Sequence, residues 1–355
     1  MPPAGAADKK TEILEIDARN LQTDLVERAG QVIRDGGTCA FPTETVYGLG
    51  ADGLNPDAVR KIFEAKGRPG DNPLILHIAY PEQIALLTTE LTENARAMAE
   101  AFWPGPLTLV VRRSGIVPDT VSAGLETVAV RCPSHPVAHA LILQADTPIA
   151  APSANLSGSP SPTSGEHVVR DLDGRVDMIL VSDDSQIGVE STVVDTTKVP
   201  PVILRPGRIT KEDLEAVVGE VRLSEGITSG AEPEHPASPG MKYTHYSPRA
   251  EVYLTDGTDE ETERAIRKAC EDADGTIAIL TTGPVTEKLR DDMIVLSLGD
   301  DPEQYEHNLF SELRRLDDLG ADRIFVRMPA AGDRTLAVRD RLMHAAGYRF
   351  LPKDE

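Results

Sequence analysis

The chain has 355 residues and a formal net charge of −22, with 36 basic and 58 acidic side chains. That length exceeds what one hydrophobic core usually serves, so two domains are expected, and the acidic balance argues against binding nucleic acid or anionic membranes by overall charge. Apolar content of 40% and charged content of 26% are ordinary for a globular chain, and no apolar run approaches the roughly 18 residues of a membrane span.

Cys39, Cys132 and Cys270 are scattered and form no CxxC, so neither a disulfide framework nor a cysteine zinc site is expected, and a reducing compartment fits. The opening MPPAGAADKK lacks the apolar core of a signal peptide. The expectation is a cytoplasmic protein with no membrane partner.

Residues 1–10 read as disordered, and ILEID (13–17) as a short strand. TDLVERAGQVIRDGG (23–37) has apolar residues at helical spacing and a glycine stop, which predicts a helix before the buried strand TCAFPT (38–43). Asn55 and Pro56 supply an N-cap and a first-turn proline for a helix reaching about Ala65. LILHI (74–78) predicts a strand, and EQIALLTTELTENARAMAEAF (82–102) a helix in two pieces. Strands follow at 106–113 and 127–133, a helix at 135–145, and a strand running into a turn at 148–155. Strands at 177–182, 191–197 and 201–207 and a helix at 211–219 complete a first domain over residues 1–222.

Residues 223–250 are rich in Gly, Pro, Ser and Glu and read as an extended linker. Beyond it, from 251 to 355, strands alternate with helices at 260–273, 303–319 and about 335–346. That alternation predicts a smaller α/β domain with a largely parallel sheet.

Two neighbouring segments are densest in chemistry: FPTETVYGLGADG (41–53) and EAKGRPGDNPLILHI (64–78). Gly48, Gly50 and Gly53 match GxGxxG, but a dinucleotide fold needs a helix opening within the glycines, and here it opens after Asn55. The glycines suit a tight turn. There is no P-loop, HExxH or GxSxG. His135 and His139 lie four apart without a third ligand, so capping and packing account for them better than a metal.

Lys66 and Arg68 are placed just after a helix, with Gly67 allowing close backbone approach and Pro69 stiffening the exit. These groups suit a phosphate, Lys as a point charge and Arg as a fork; they equally suit a solvated helix C-terminus. APSANLSG (151–158) puts Ser153, Asn155 and Ser157 where a buried strand gives way to a turn. GVESTVVD and ILRPGR put Ser191, Thr192 and Arg205 at strand edges. Each alone has a bland explanation in turn chemistry. Four such elements in one domain favour a polar cleft for an anionic ligand.

In that order, FPTETVYGLGAD, KGRPGDNPLILHI, the SxN of APSANLSG and ESTVVD…LRPG resemble the YrdC-like threonylcarbamoyl-AMP synthases over roughly residues 20–220. SPGMKYTHYSPRA (238–250) followed by a small α/β domain resembles the longer, two-domain members. The resemblance implies an α/β fold: an open, twisted mixed sheet around a cationic cavity, plus a smaller Rossmann-like C-terminal domain. It implies synthesis of threonylcarbamoyl-adenylate and pyrophosphate from L-threonine, bicarbonate and ATP. Mg²⁺ would arrive with ATP, since no carboxylate cluster in the motifs suggests a metal cage. Downstream threonylcarbamoyl-transfer proteins would be partners, and tRNA an indirect one.

Carried over by residue, the resemblance implies a threonine subsite of Thr45, His77, Arg131, the backbone at Ala151, and Ser191. Thr43 carries the same hydroxyl in the same turn as Thr45, and either could serve. The nucleotide side would comprise Arg68, Asn72, Thr127, Ser153, Asn155, Ser161, Arg205 and Tyr243, the last in the linker as part of a lid. Lys66 and Arg68 would be the catalytic cations. Two alternatives of other classes are a non-catalytic RNA-binding module, which the charge disfavours, and a carbamoyltransferase, whose zinc-finger cysteines are missing here.

Overall fold

A computed structural model describes residues 9–229, 246–271, 273–283 and 293–352. The chain divides into two compact units. Among described residues the first holds 9–157, 161–186 and 190–229, and the second holds 158–160, 187–189 and 246–352. No described helix is long and apolar enough to cross a membrane.

The first unit is built on twelve strands: β1 (Glu12–Glu15), β2 (Cys39–Phe41), β3 (Gly48–Asp52), β4 (Ile75–His77), β5 (Thr88–Glu90), β6 (Leu107–Arg113), β7 (Thr127–Arg131), β8 (Ile149–Ala151), β9 (Met178–Val181), β10 (Thr192–Asp195), β11 (Val202–Arg205) and β12 (Arg222–Leu223). They form one mixed sheet in the order β1-β9-β2-β3-β8-β4-β7-β6-β10-β11-β12, with β5 paired to β6. Its longer helices are α1 (Thr23–Arg34), α2 (Pro56–Lys66), α3 (Glu93–Phe102), α4 (Pro136–Ala145), α5 (Gly165–Leu172) and α6 (Lys211–Val218).

Alternation along the strands sorts side chains between the two faces. Leu49, Leu76, Leu109 and Val130 point to one face and pack with Val59 and Ile62 of α2 and Met98 of α3 in the largest core. Phe41, Ile149 and Leu180 belong to the other face, where α1 and α4 contribute Ile33 and Leu141. α1 crosses α4 closely: a Cβ on Gly30 would lie 2.6 Å from Gln144 Cβ.

The cap expected on α2 is present, with Asn55 Oδ1 accepting from the amides of Asp57 and Ala58, and Gly67 closes the helix in the left-handed conformation at φ 63°. Three expectations are corrected. Residues 82–102 do not form two helical pieces alone, because Thr88–Glu90 breaks out as a strand; the Thr88 hydroxyl donates to the Arg112 carbonyl on β6. Gly48 and Gly50 are not in a tight turn. They lie in β3, where a Cβ on Gly50 would come within 2.8 Å of the Phe41 ring and 2.5 Å of Ile149. The glycines let the Phe41 ring lie across the strand. The start of the expected linker is also ordered: Arg222–Leu223 pairs with β11 and Glu225–Ser229 is a short helix. The helix α5 was not anticipated.

The second unit has strands β13 (Glu251–Thr255), β14 (Ile277–Thr281), β15 (Ile294–Ser297) and β16 (Arg323–Arg327), all parallel in the order β13-β16-β14-β15. Its helices are α7 (Asp259–Glu271), α8 (Pro302–Asp318) and α9 (Leu336–Ala345). The expected parallel α/β domain is therefore observed.

Candidate active site

Strand register assembles the centre of the site. His77 on β4 pairs with Arg131 on β7, Arg131 pairs with Thr108 on β6, Thr108 pairs with Val193 on β10, and Val193 pairs with Arg205 on β11. Directly paired residues share a face, so His77, Arg131, Thr108 and Arg205 form one row. Two residues along, on the same face, Ile75, Ala129 and Val110 lie in register beside Ala151 of β8 and make an apolar floor. Thr127 lies four residues from Arg131 along β7, about 13 Å by strand rise. The face thus has a polar row and an apolar floor, with a further hydroxyl at Thr127.

Arg131 is 4% exposed and held on three sides. It donates to Thr45 Oγ1 at 2.9 Å and, weakly, to the Gly105 carbonyl at 3.4 Å. Its remaining terminal nitrogen lies 2.7 Å from a carboxylate oxygen of Glu44, a close ion pair without the alignment of a hydrogen bond. Burial alone would raise the Glu44 carboxyl; the Arg131 charge, with backbone amides, overrides this and holds it below the usual carboxylate range. Thr43 Oγ1 sits 2.9 Å from Thr45 Oγ1 and donates to the Val46 carbonyl at 2.5 Å. Of the two hydroxyls, Thr45 is thus the one on Arg131.

His77 is buried, and its Nδ1 is 3.2 Å from the Ile75 carbonyl. Burial first, and the Arg131 charge second, push its pKa down to about 3. It is a neutral imidazole in the row. Ser191 meets Thr108 hydroxyl to hydroxyl at 2.8 Å, and Arg205 donates to the Ser191 carbonyl at 3.0 and 3.2 Å and to its Oγ at 3.2 Å. Arg205 is 6% exposed. It fastens β10 to β11 through Ser191, and so ties a residue expected on the nucleotide side to one expected on the threonine side.

The Lys66 ammonium is turned inward. It donates to the carbonyls of Ser153 and Asn155, each at 2.5 Å, and lies 3.3 Å from Asn155 Oδ1; the Lys66 carbonyl in turn accepts from the Ser157 amide. Ser153 Oγ donates to Asn155 Oδ1 at 2.6 Å. Lys66, Ser153 and Asn155 are therefore one knot that fixes the turn after β8. Ser153 also bridges to Gly48. Arg68 reaches the Pro73 carbonyl at 3.4 Å. Asn72 is 1% exposed and its Oδ1 has no hydrogen-bond partner among the described residues. Ser161 donates to Glu190 at 2.5 Å, and both are buried.

Tyr243 lies outside the described residues, as do Met241, Lys242 and His245 of the same motif. Tyr246, in the same expected linker, is 6% exposed and stacks on Phe310 at 5.2 Å, with Arg341 5.5 Å over its ring. It is a core residue of the second unit. His135 caps α4 by accepting from the Val137 amide, and His139 packs edge-on to Tyr80. No group of three or more His, Cys, Asp or Glu among the described residues is placed to hold a metal. A cavity of about 430 Å³ opens between Glu90, Thr92, Arg112, Thr196 and Val199, but contains none of the expected site residues.

Glu44, Thr108 and Glu190 join the site without having been expected there. Glu44 and Thr108 each carried a signal: a charge between two threonines of a buried segment, and a lone hydroxyl in the apolar run LTLVV.

The chain matches the Sua5/YciO/YrdC family model, described as "Telomere recombination", over residues 31–207. It matches the model "Threonylcarbamoyl-AMP synthase, C-terminal domain" over residues 209–347. It is 45% identical to the threonylcarbamoyl-AMP synthase of Pyrococcus abyssi, over 91% of this chain and 94% of that one. It is 45% identical to the enzyme of that name from Bacillus subtilis, over 92% and 94%. The crystal structure of P. abyssi Sua5 complexed with L-threonine superposes with a TM-score of 0.91 at 44% identity, covering 96% of this chain and 99% of that one. The chain belongs to the Sua5/YciO/YrdC family, in the form that carries the Sua5 C-terminal domain.

Proposed function

We propose that the chain is a threonylcarbamoyl-AMP synthase, forming threonylcarbamoyl-adenylate from L-threonine, bicarbonate and MgATP. The observation that carries this reading is the full-length likeness to P. abyssi Sua5, a protein crystallised with L-threonine. The row of His77, Arg131 and Thr108, with Ser191 against it, supports an amino-acid subsite. Arg131 is suited to the α-carboxylate, and neutral His77 and the Thr45 hydroxyl to the polar remainder.

The chemistry balances without a covalent enzyme intermediate. Threonine's amine and bicarbonate give an N-carboxylate and water. An N-carboxylate oxygen then attacks the α-phosphorus of ATP, the bond to the β-phosphate oxygen breaks, and pyrophosphate leaves. Two anions that repel must be brought together, so the protein's part is positioning and charge. Lys66 fixes the 153–155 turn, while Arg68 and Arg205 add positive charge on the nucleotide side. Mg²⁺ comes as part of the ATP substrate. The product would pass to downstream threonylcarbamoyl-transfer proteins acting on tRNA, and the reaction would take place in the cytoplasm.

An omission assay tests the reading. Pyrophosphate release should need ATP, Mg²⁺, threonine and bicarbonate together. Release that ignores threonine would refute it.

A further inference from the structure

We infer that Glu44 is a positioning residue for amino-acid selection, holding the Arg131 guanidinium so that its remaining N–H groups face the substrate carboxylate. The inference rests on the reading of Arg131 as the carboxylate ligand.

Guanidinium carries five N–H donors in a rigid plane. Here Nε is directed to the Gly105 carbonyl, one terminal nitrogen to Thr45 Oγ1, and the other faces Glu44 at 2.7 Å. Three contacts on three sides fix both the position and the rotation of that plane. Each terminal nitrogen keeps a second N–H, the pair a carboxylate can take as a fork. The side chains of Glu44 and Arg131 are 6% and 4% exposed, so bulk water contributes little to holding the cation.

Arg131 is the one charged partner of Glu44 among the described residues, and backbone amides at Glu44 and Ser134 add to it. A carboxylate this deeply buried is costly unless a cation beside it compensates. That cation is Arg131. Thr45 follows Glu44 in the chain, so one dipeptide sets both terminal nitrogens of the fork.

The test measures apparent KM for L-threonine and for ATP, with thermal stability, in Glu44→Gln, Glu44→Asp, Arg131→Lys and the double variant Glu44→Gln/Arg131→Lys. Glu44→Gln should raise the threonine KM about tenfold or more and leave the ATP KM within about twofold, a loss of roughly one buried charge contact. Glu44→Asp keeps the charge and should fall between wild type and Glu44→Gln. It also provides the reading if Glu44→Gln does not fold. The double variant should be no worse for threonine than Arg131→Lys alone, because both changes damage one fork. Equal increases in both KM values, or effects that multiply in the double variant, would overturn the inference. An unchanged threonine KM in Arg131→Lys would instead overturn the reading of Arg131 on which it rests.

Discussion

Thr108 and Ser191 meet hydroxyl to hydroxyl at 2.8 Å, although 83 residues separate them in the chain. The parallel pairing of β6 with β10 brings them together, and the antiparallel pairing of β6 with β7 sets Thr108 beside Arg131. Ser191 is thereby tied to the arginine row through a residue with no motif of its own. Thr108→Val keeps the shape and removes the partner. It should raise the threonine KM by about fivefold, near 1 kcal/mol, without changing the ATP KM. Steady-state kinetics with each substrate varied checks this, and an effect on ATP alone would place Ser191 elsewhere.

Arg131→Lys replaces a fork by a point charge. The threonine KM should rise by at least about tenfold, while nucleotide affinity changes little. Titration of threonine and of ATP into the variant separates the two.

Lys66 and Arg68 should part company, though both were expected as catalytic cations. Lys66 is 3% exposed and satisfies the Ser153 and Asn155 carbonyls. Lys66→Ala should cost about 1–3 kcal/mol of stability by removing the ammonium that donates to those oxygens, and lower activity with it. Arg68→Ala should lower activity with a smaller stability change. Urea unfolding beside turnover measures both, and equal stability losses would contradict the assignment.

His77 makes stability depend on pH. Its pKa is about 3 when folded against 6.5 as the ordinary value, so between these pH values the unfolded chain holds a proton that the folded chain lacks. Stability from this group is full above pH 6.5 and is lost as pH falls toward 3, by up to about 1.4 kcal/mol per unit. His135, also lowered by burial, acts in the same direction. His77→Asn should therefore lose about 1–2 kcal/mol less than wild type between pH 7 and pH 5 in urea unfolding.

Much of this site could be read from residue order. Asn55-Pro56 announced α2, helical spacing announced α1, and the run of motifs carried the family. What sequence could not carry was pairing. Nothing local says that His77 lies beside Arg131, because β4 and β7 are far apart in the chain and meet only in the sheet. The glycines of β3 read as a turn because their reason, the Phe41 ring lying across them, belongs to a neighbouring strand. The inward turn of Lys66 was not legible, because its carbonyl partners sit 87 and 89 residues away. Tyr246 read as part of an extended linker because nothing local shows that its ring packs on Phe310, 64 residues on.

Threonine, the bicarbonate carbon and the AMP moiety of ATP should end in one molecule. Mass spectrometry of the products formed with ¹³C-bicarbonate and unlabelled L-threonine tests it most directly. The expected product is an AMP adduct that contains threonine and one carbon from bicarbonate, formed in step with pyrophosphate. An adduct of AMP and threonine lacking the labelled carbon, or pyrophosphate without any adduct, would contradict it.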